Sequence, residues 1–227
     1  MRFRKIFYCI CLTSIFLANC SPAVRLSPSP DARVPSGIPE AAFEDSAGVK
    51  ILVETESWTG FPAIEEYVTP VRVTVTNSGD EPVRIRYHQF VLEVNSDKFR
   101  AQPPYQLQGM IEIPYSKASL FDDTVYHYED LESDPCCRVL ERVLAERDTS
   151  YFDDDPPDVW LQLPTKEMLQ RVLLDGVVKS GELVSGFLYF EQLRGKPGEV
   201  VFTADIVSAV DGELMGVVRI PLKLMRE

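Results

Sequence analysis

The chain has 227 residues, 45% apolar and 26% charged, with 35 acidic side chains against 23 basic ones and a net charge of −12. That apolar content excludes a mostly disordered protein, and the acidic balance repels phosphates, so nucleic acid is not an expected partner.

The chain opens on an address. Arg2, Arg4 and Lys5 make a positive n-region, and Ile6–Leu17 is an apolar run interrupted only by Thr13 and Ser14. A spanning helix needs about 20 apolar residues, so this run reads as the h-region of a secretory signal over residues 1–19. Leu17-Ala18-Asn19-Cys20 follows, then Ser21-Pro22. The pattern resembles a bacterial lipobox: aliphatic at −3, small at −2, cysteine at +1. It departs from that motif at Asn19, where Gly, Ala or Ser is usual. The resemblance implies cleavage before Cys20, lipidation of its thiol and anchoring in the bilayer, which two or more acyl chains hold stably. Ser21 behind the cysteine implies, by resemblance to Gram-negative sorting, the outer membrane. The competing reading is plain secretion, with cleavage after Ser21-Pro22-Ala23.

Removal of residues 1–19 leaves 208 residues with 20 basic and 35 acidic side chains, a net charge of −15. Cys9 and Cys11 leave with the signal and Cys20 takes lipid, so Cys136 and Cys137 alone remain. No disulfide framework is expected, and the fold must stand on its core.

Residues 20–47 read as the lipidated cysteine and a tether, because Pro22, Pro28, Pro30, Pro35 and Pro39 punctuate them without an apolar period. A domain is expected over 48–227. Lys50–Glu56 reads as a strand, and Val71, Val73 and Val75 alternate with Arg72, Thr74 and Thr76, the period of a half-buried strand. Asn77-Ser78-Gly79-Asp80 supplies a turn. Val83–Tyr87 sets Val83, Ile85 and Tyr87 on one face and Arg84 and Arg86 on the other, and Phe90, Leu92 and Val94 continue the alternation. Phe99–Leu107 reads as an extended piece broken by Pro103-Pro104.

Residues 108–176 read as an acidic, partly helical insertion carrying 16 acidic and 6 basic side chains. Asp134-Pro135 caps a helix over 136–146, and Thr165 caps a second over Lys166–Leu174. Leu183–Glu191, Glu199–Ala209 and Leu214–Leu224 read as strands, with Asp211-Gly212 as a two-residue hairpin between the last two. Phe187-Leu188-Tyr189-Phe190 is apolar on both faces, which marks a central strand covered on both sides. Short strands at this spacing predict a mainly β fold, an immunoglobulin-like β-sandwich with the helical insertion.

The order of Ser57-Trp58-Thr59-Gly60-Phe61-Pro62, Tyr67-Val68-Thr69-Pro70, Ile85-Arg86-Tyr87 and Val184-Ser185-Gly186-Phe187-Leu188-Tyr189-Phe190 resembles predicted bacterial lipoproteins and extracellular immunoglobulin-like domains of unknown function. The resemblance covers roughly residues 50–107 and 177–224, and it implies no activity or catalytic residue.

Four groups of residues could carry chemistry. Adjacent Cys136 and Cys137 form a candidate redox pair, against small packing residues at a helix start. Two cysteines and two histidines far apart in sequence do not suggest a structural zinc site, so no metal or cofactor is expected. His127, among Asp122, Asp123, Glu129 and Asp130, could serve as an acid–base group, and Asp153-Asp154-Asp155-Pro156-Pro157-Asp158 offers oxygen ligands for calcium. His88 reads as a turn or edge residue. Trp58, Trp160, Tyr105, Tyr115, Tyr126, Tyr128 and Tyr151 could form a sugar- or peptide-binding face, against ordinary packing. With no G-x-S-x-G motif, the expectation is a non-enzymatic, lipid-anchored envelope protein that binds an unnamed envelope partner, with the acidic insertion as its interaction face. The alternative is an envelope enzyme or calcium-dependent protein using His127 and Asp153–Asp158.

Overall fold

The structure is a computed structural model and describes residues 24–113, 159–194 and 197–226. In chain order come β1 (Val24–Pro28), β2 (Ala41–Ser46), β3 (Val49–Glu54), β4 (Val68–Asn77), β5 (Val83–Ile85), β6 (Phe90–Val94) and β7 (Asp97–Arg100). There follow β8 (Gly109–Ile113), β9 (Val159–Leu163), the short helix α1 (Lys166–Arg171), β10 (Gly176–Val178), β11 (Leu183–Glu191), β12 (Gly198–Ser208) and β13 (Leu214–Arg226).

Period-two sequences become half-buried strands. In β4, Val71, Val73 and Val75 are buried while Arg72 faces out, and in β12 Val200, Phe202, Ala204 and Ile206 are buried in alternation. Every strand pair is antiparallel. One sheet runs β11-β4-β3-β2. The larger sheet runs β1-β13-β12, and the far edge of β12 is then shared: β6 pairs with Val200–Ala204, and β5 pairs with Val207 and Ser208. β7 lies outside β6, and β10 lies outside β5.

The two sheets bury their inner faces in one core. Val49, Ile51, Val73, Leu188 and Phe190 from the first meet Leu92, Phe202, Val218, Ile220 and Leu222 from the second. Each fully buried aliphatic or aromatic side chain contributes roughly 1.5–3 kcal/mol. The protein is mainly β, as its sequence predicts.

A second, smaller core lies on the outer face of β11. Phe187 and Tyr189 point away from the main core into a cover made by Ile64, Ile111, Leu163, Met168 and Val172. Trp58 closes it edge-on, with ring centroids 5.1 Å from Phe187 and 6.1 Å from Tyr189. The Tyr189 hydroxyl donates to the Met168 carbonyl at 3.0 Å, and burial pushes its pKa up. Tyr189→Phe leaves that buried carbonyl without its donor and is expected to cost about 1–2 kcal/mol, read from urea denaturation.

Several expectations are corrected. The stretch read as a tether contains β1 and β2, each the outermost strand of its sheet: Val24–Pro28 pairs with β13 and Ala41–Ser46 with β3. Proline is tolerated on edge strands, so Pro28 ends β1 without breaking the ladder. β2 and β3 join through Ala47-Gly48, both at positive φ (51° and 76°), the two-residue turn that matches strand twist. β11 is buried on both faces but is an edge strand, not a central one. Its edge is capped by two short bridges, to Gln102 and to Val172, which removes an exposed pairing edge.

The helix expected over Lys166–Leu174 stops at Arg171. Thr165 caps it as predicted, accepting from the Met168 N–H at 3.2 Å. Val172 then turns extended, and the Leu173 N–H goes to the Phe187 carbonyl at 2.9 Å, so β11 takes the backbone the helix would need. The hairpin between β12 and β13 is longer than two residues, because Ser208 Oγ accepts from the Val210 N–H (3.1 Å) and the Asp211 N–H (3.4 Å) and draws the chain into a local turn. The helix expected over 136–146 lies outside the described residues.

Candidate functional site

The larger sheet divides where β5 gives way to β6. Pro82 leads into β5, Val83 and Ile85 enter the core, and Arg84 faces out. The ladder breaks at Arg86, whose N–H goes to Gln89 Oε1 at 2.6 Å rather than to a strand. Tyr87–Gln89 makes a single 3₁₀ turn before the chain re-enters the sheet at Phe90. The register shows the surplus: Arg84 lies opposite Val207 and Phe90 opposite Ala204. Six steps of one strand row are set against three of β12, and the excess residues loop out.

The outer row is divided in the same way. Gly176 of β10 pairs with Ile85, and Arg100 of β7 pairs with Val91. Against β12 these positions stand three residues apart, a notch about 10 Å wide at strand rise. The notch opens into a groove of about 970 Å³. Arg84, Arg86 and His88 line one part, Arg100, Gln102 and Tyr105 another, and Asp175 and Val177 a third. Tyr87 sits among them, half-buried and packed against both cores.

The charge of this groove runs against the charge of the chain. Among the described residues three guanidinium groups face one carboxylate, Asp175, on a protein of net charge −12. Four arginines elsewhere are matched: Arg25 with Glu56 (3.5 Å), Arg33 with Glu44 (2.7 Å) and Asp45 (2.9 Å), Arg72 with Glu54 (3.5 Å), and Arg171 with Glu167 (2.9 Å). Among the described residues Arg84, Arg86 and Arg100 pair with no carboxylate. Arg84 is oriented by the Ala209 carbonyl at 3.0 Å, a partner with no formal charge. Burial, then the charge of Asp175, then Tyr105 push the Tyr87 hydroxyl up to about 12, so it keeps its proton at neutral pH and stays a donor. The arrangement is chemically suited to holding oxyanions, because guanidinium forks match carboxylate and phosphate oxygens.

The residues singled out from sequence are distributed unevenly. Cys20, the pair Cys136 and Cys137, His127 and the run Asp153–Asp158 lie outside the described residues, as do Tyr115, Tyr126, Tyr128 and Tyr151. His88 is exposed on the 3₁₀ turn, as read, and it also lines the groove. Trp58 is a packing residue, its Nε1–H donating to the Phe61 carbonyl at 3.2 Å. Trp160 is half exposed on β9, apart from the groove lining, and Tyr105, 66% exposed, lies at the groove. Sequence reasoning missed Arg84, Arg86 and Arg100. The available signal was three arginines within 17 residues of an acidic chain, two of them on the outward face of one strand. Among the described residues, no three His, Cys, Asp or Glu side chains converge to hold a metal ion, and no helix is long and apolar enough to cross a membrane.

No family model matches this chain, and no curated protein matches it. A solved structure from Bacillus subtilis, described as "a putative lipoprotein (ycdA)", is similar over 79% of this chain at 12% identity, with a TM-score of 0.38. This chain spans 37% of the length of that protein.

Proposed function

We propose that this is a lipid-anchored protein of the bacterial cell envelope whose β domain has a non-enzymatic binding role. The groove between the two branches of the larger sheet is its binding site. The observation that carries the binding role is that groove: among the described residues, three arginines and one carboxylate, Asp175, line one concavity of an acidic chain. The anchor reading rests on the basic n-region, the short apolar run and Cys20. Ser21 supports the outer membrane as the destination. We read the two facing antiparallel sheets as immunoglobulin-like, with an envelope protein as partner and no nucleic acid or cofactor.

The anchor is tested by fractionation. The wild type is expected to partition into detergent and to incorporate labelled fatty acid on Cys20. Cys20→Ala is expected to appear in the soluble envelope fraction or as an uncleaved precursor. A wild type that begins at Val24 and stays soluble would disprove the anchor and leave a secreted domain.

A further inference from the structure

We infer that the groove takes an extended acidic peptide stretch, the Asp- or Glu-rich segment of another envelope protein, held by Arg84, Arg86 and Arg100. The inference rests on the binding role proposed above and gives its ligand a chemistry.

Charge placement comes first. A chain with a net charge of −12 has every reason to neutralise its arginines internally, and it does so for Arg25, Arg33, Arg72 and Arg171. The three groove arginines have no ion pair among the described residues, where Asp175 is the carboxylate that lines the groove with them. Among the described residues only Asp175 is there to balance them, which leaves room at the groove for the negative charge of a ligand. Side-chain type narrows the ligand: the planar fork of arginine accepts a carboxylate through two parallel hydrogen bonds, where lysine offers a point charge.

Spread separates a chain from a small ion. Arg84 lies opposite Val207 of β12, and Arg100 lies opposite Val91, itself opposite Thr203. The two backbones therefore stand four β12 residues apart, about 13 Å at strand rise. Arg86 lies between them at the start of the looped-out turn. Charges spread along such a row are matched better by several anionic groups held at a fixed spacing than by one small anion. Carboxylates on alternate residues of an extended peptide fall about 7 Å apart on one face, so two or three of them match it. The surfaces between the arginines suit a peptide backbone. Gln102 and Gln106 offer amides, Tyr87 a protonated hydroxyl, and Ala101 and Pro103 an apolar floor.

The test is a titration of the full chain in detergent with a fluorescein-labelled peptide carrying glutamate at alternate positions, followed by anisotropy. The same peptide with glutamine in place of glutamate is the neutral control. The glutamate peptide is expected to bind and the glutamine peptide is not, and the affinity should fall as salt is raised. Arg86→Ala and Arg100→Ala are each expected to weaken binding about five- to tenfold, with Arg100→Lys between wild type and alanine. Both side chains are exposed, so the melting temperature of the variants should stay unchanged and serve as the folding control. Inorganic phosphate and free glutamate serve as competitors. Should either displace the peptide at an equal concentration of anionic groups, the site holds a small anion; the peptide inference falls while the binding role stands. If no anionic probe binds, or binding ignores Arg86→Ala and Arg100→Ala, both fall together.

Discussion

Gly186→Ala is expected to destabilise the protein by about 3 kcal/mol, at the upper end of what overpacking costs. At this chain length that lowers the thermal midpoint by roughly 6–12 °C. A Cβ at position 186 would lie 2.6 Å from Leu173 Cα and 2.7 Å from the Val172 carbonyl carbon, and it would also meet Leu173 N. All three are backbone atoms, so no side chain can swing aside. Nor can the segment retreat cheaply, because Leu173 N–H donates to the Phe187 carbonyl at 2.9 Å and the Leu173 side chain is buried in the main core. The glycine is therefore the price of letting the chain after α1 lie directly on β11. Thermal melts of the wild type and Gly186→Ala decide the point: a shift of under 1 °C would mean that the close approach is not kept in solution.

Asn77→Ala is expected to cost about 2–3 kcal/mol, and Asn77→Asp more. Asn77 is fully buried at the end of β4. Its Nδ2 donates to the Glu81 carbonyl at 2.8 Å and the Val178 carbonyl at 3.0 Å, and its Oδ1 accepts from the Gly79 N–H at 3.0 Å. Its own N–H and carbonyl reach Glu182 (3.0 Å) and Gly181 (2.7 Å). One side chain thus ties β4 to the entry of β5 and the end of β10. Alanine takes this donor from the buried Val178 carbonyl and the part-buried Glu81 carbonyl. Aspartate is worse, since it turns the donating amide into a carboxylate aimed at those same oxygens. Because β5 and β10 form one wall of the groove, the amides that join them should exchange hydrogen faster in Asn77→Ala while those joining β12 to β13 remain protected. Uniform loss of protection would contradict this local role.

Strands whose two faces differ in polarity were legible in the sequence. Val71, Val73 and Val75 in β4 and Val200, Phe202 and Ala204 in β12 announce themselves by alternation, as burial requires. Thr165 announced the start of α1, because an N-cap acts through its own local hydrogen bond. β1 and β2 were hidden because edge strands need less patterning: β2 buries Ala41 and Ala42 side by side, with no period, and proline flanks both. The end of α1 and the edge position of β11 depend on each other across the fold, through Val172 and Phe187, and no local window contains both. The groove was hidden for the same reason. Arg84 and Arg86 read as the solvent face of a strand, and Arg100 joins them only because β7 folds back beside β6.

The early start of β1 sets how far this protein can reach. With lipid on Cys20, only Ser21, Pro22 and Ala23 separate the anchor from Val24, a leash of about 14 Å at full extension. Val24 lies opposite Arg226 on β13, while the notch is level with Arg219 to Gly216, opposite Thr203 and Ile206. Measured along β13, that places the groove about 23–33 Å from the anchored end. Leash and strand together put it within about 50 Å of the lipid surface. Where a long spacer would let the domain sample a wide volume, a leash this short on a lipidated Cys20 would confine its search to a shallow layer over its own membrane. On the proposed reading, a partner would have to bring its acidic segment into that layer to be caught.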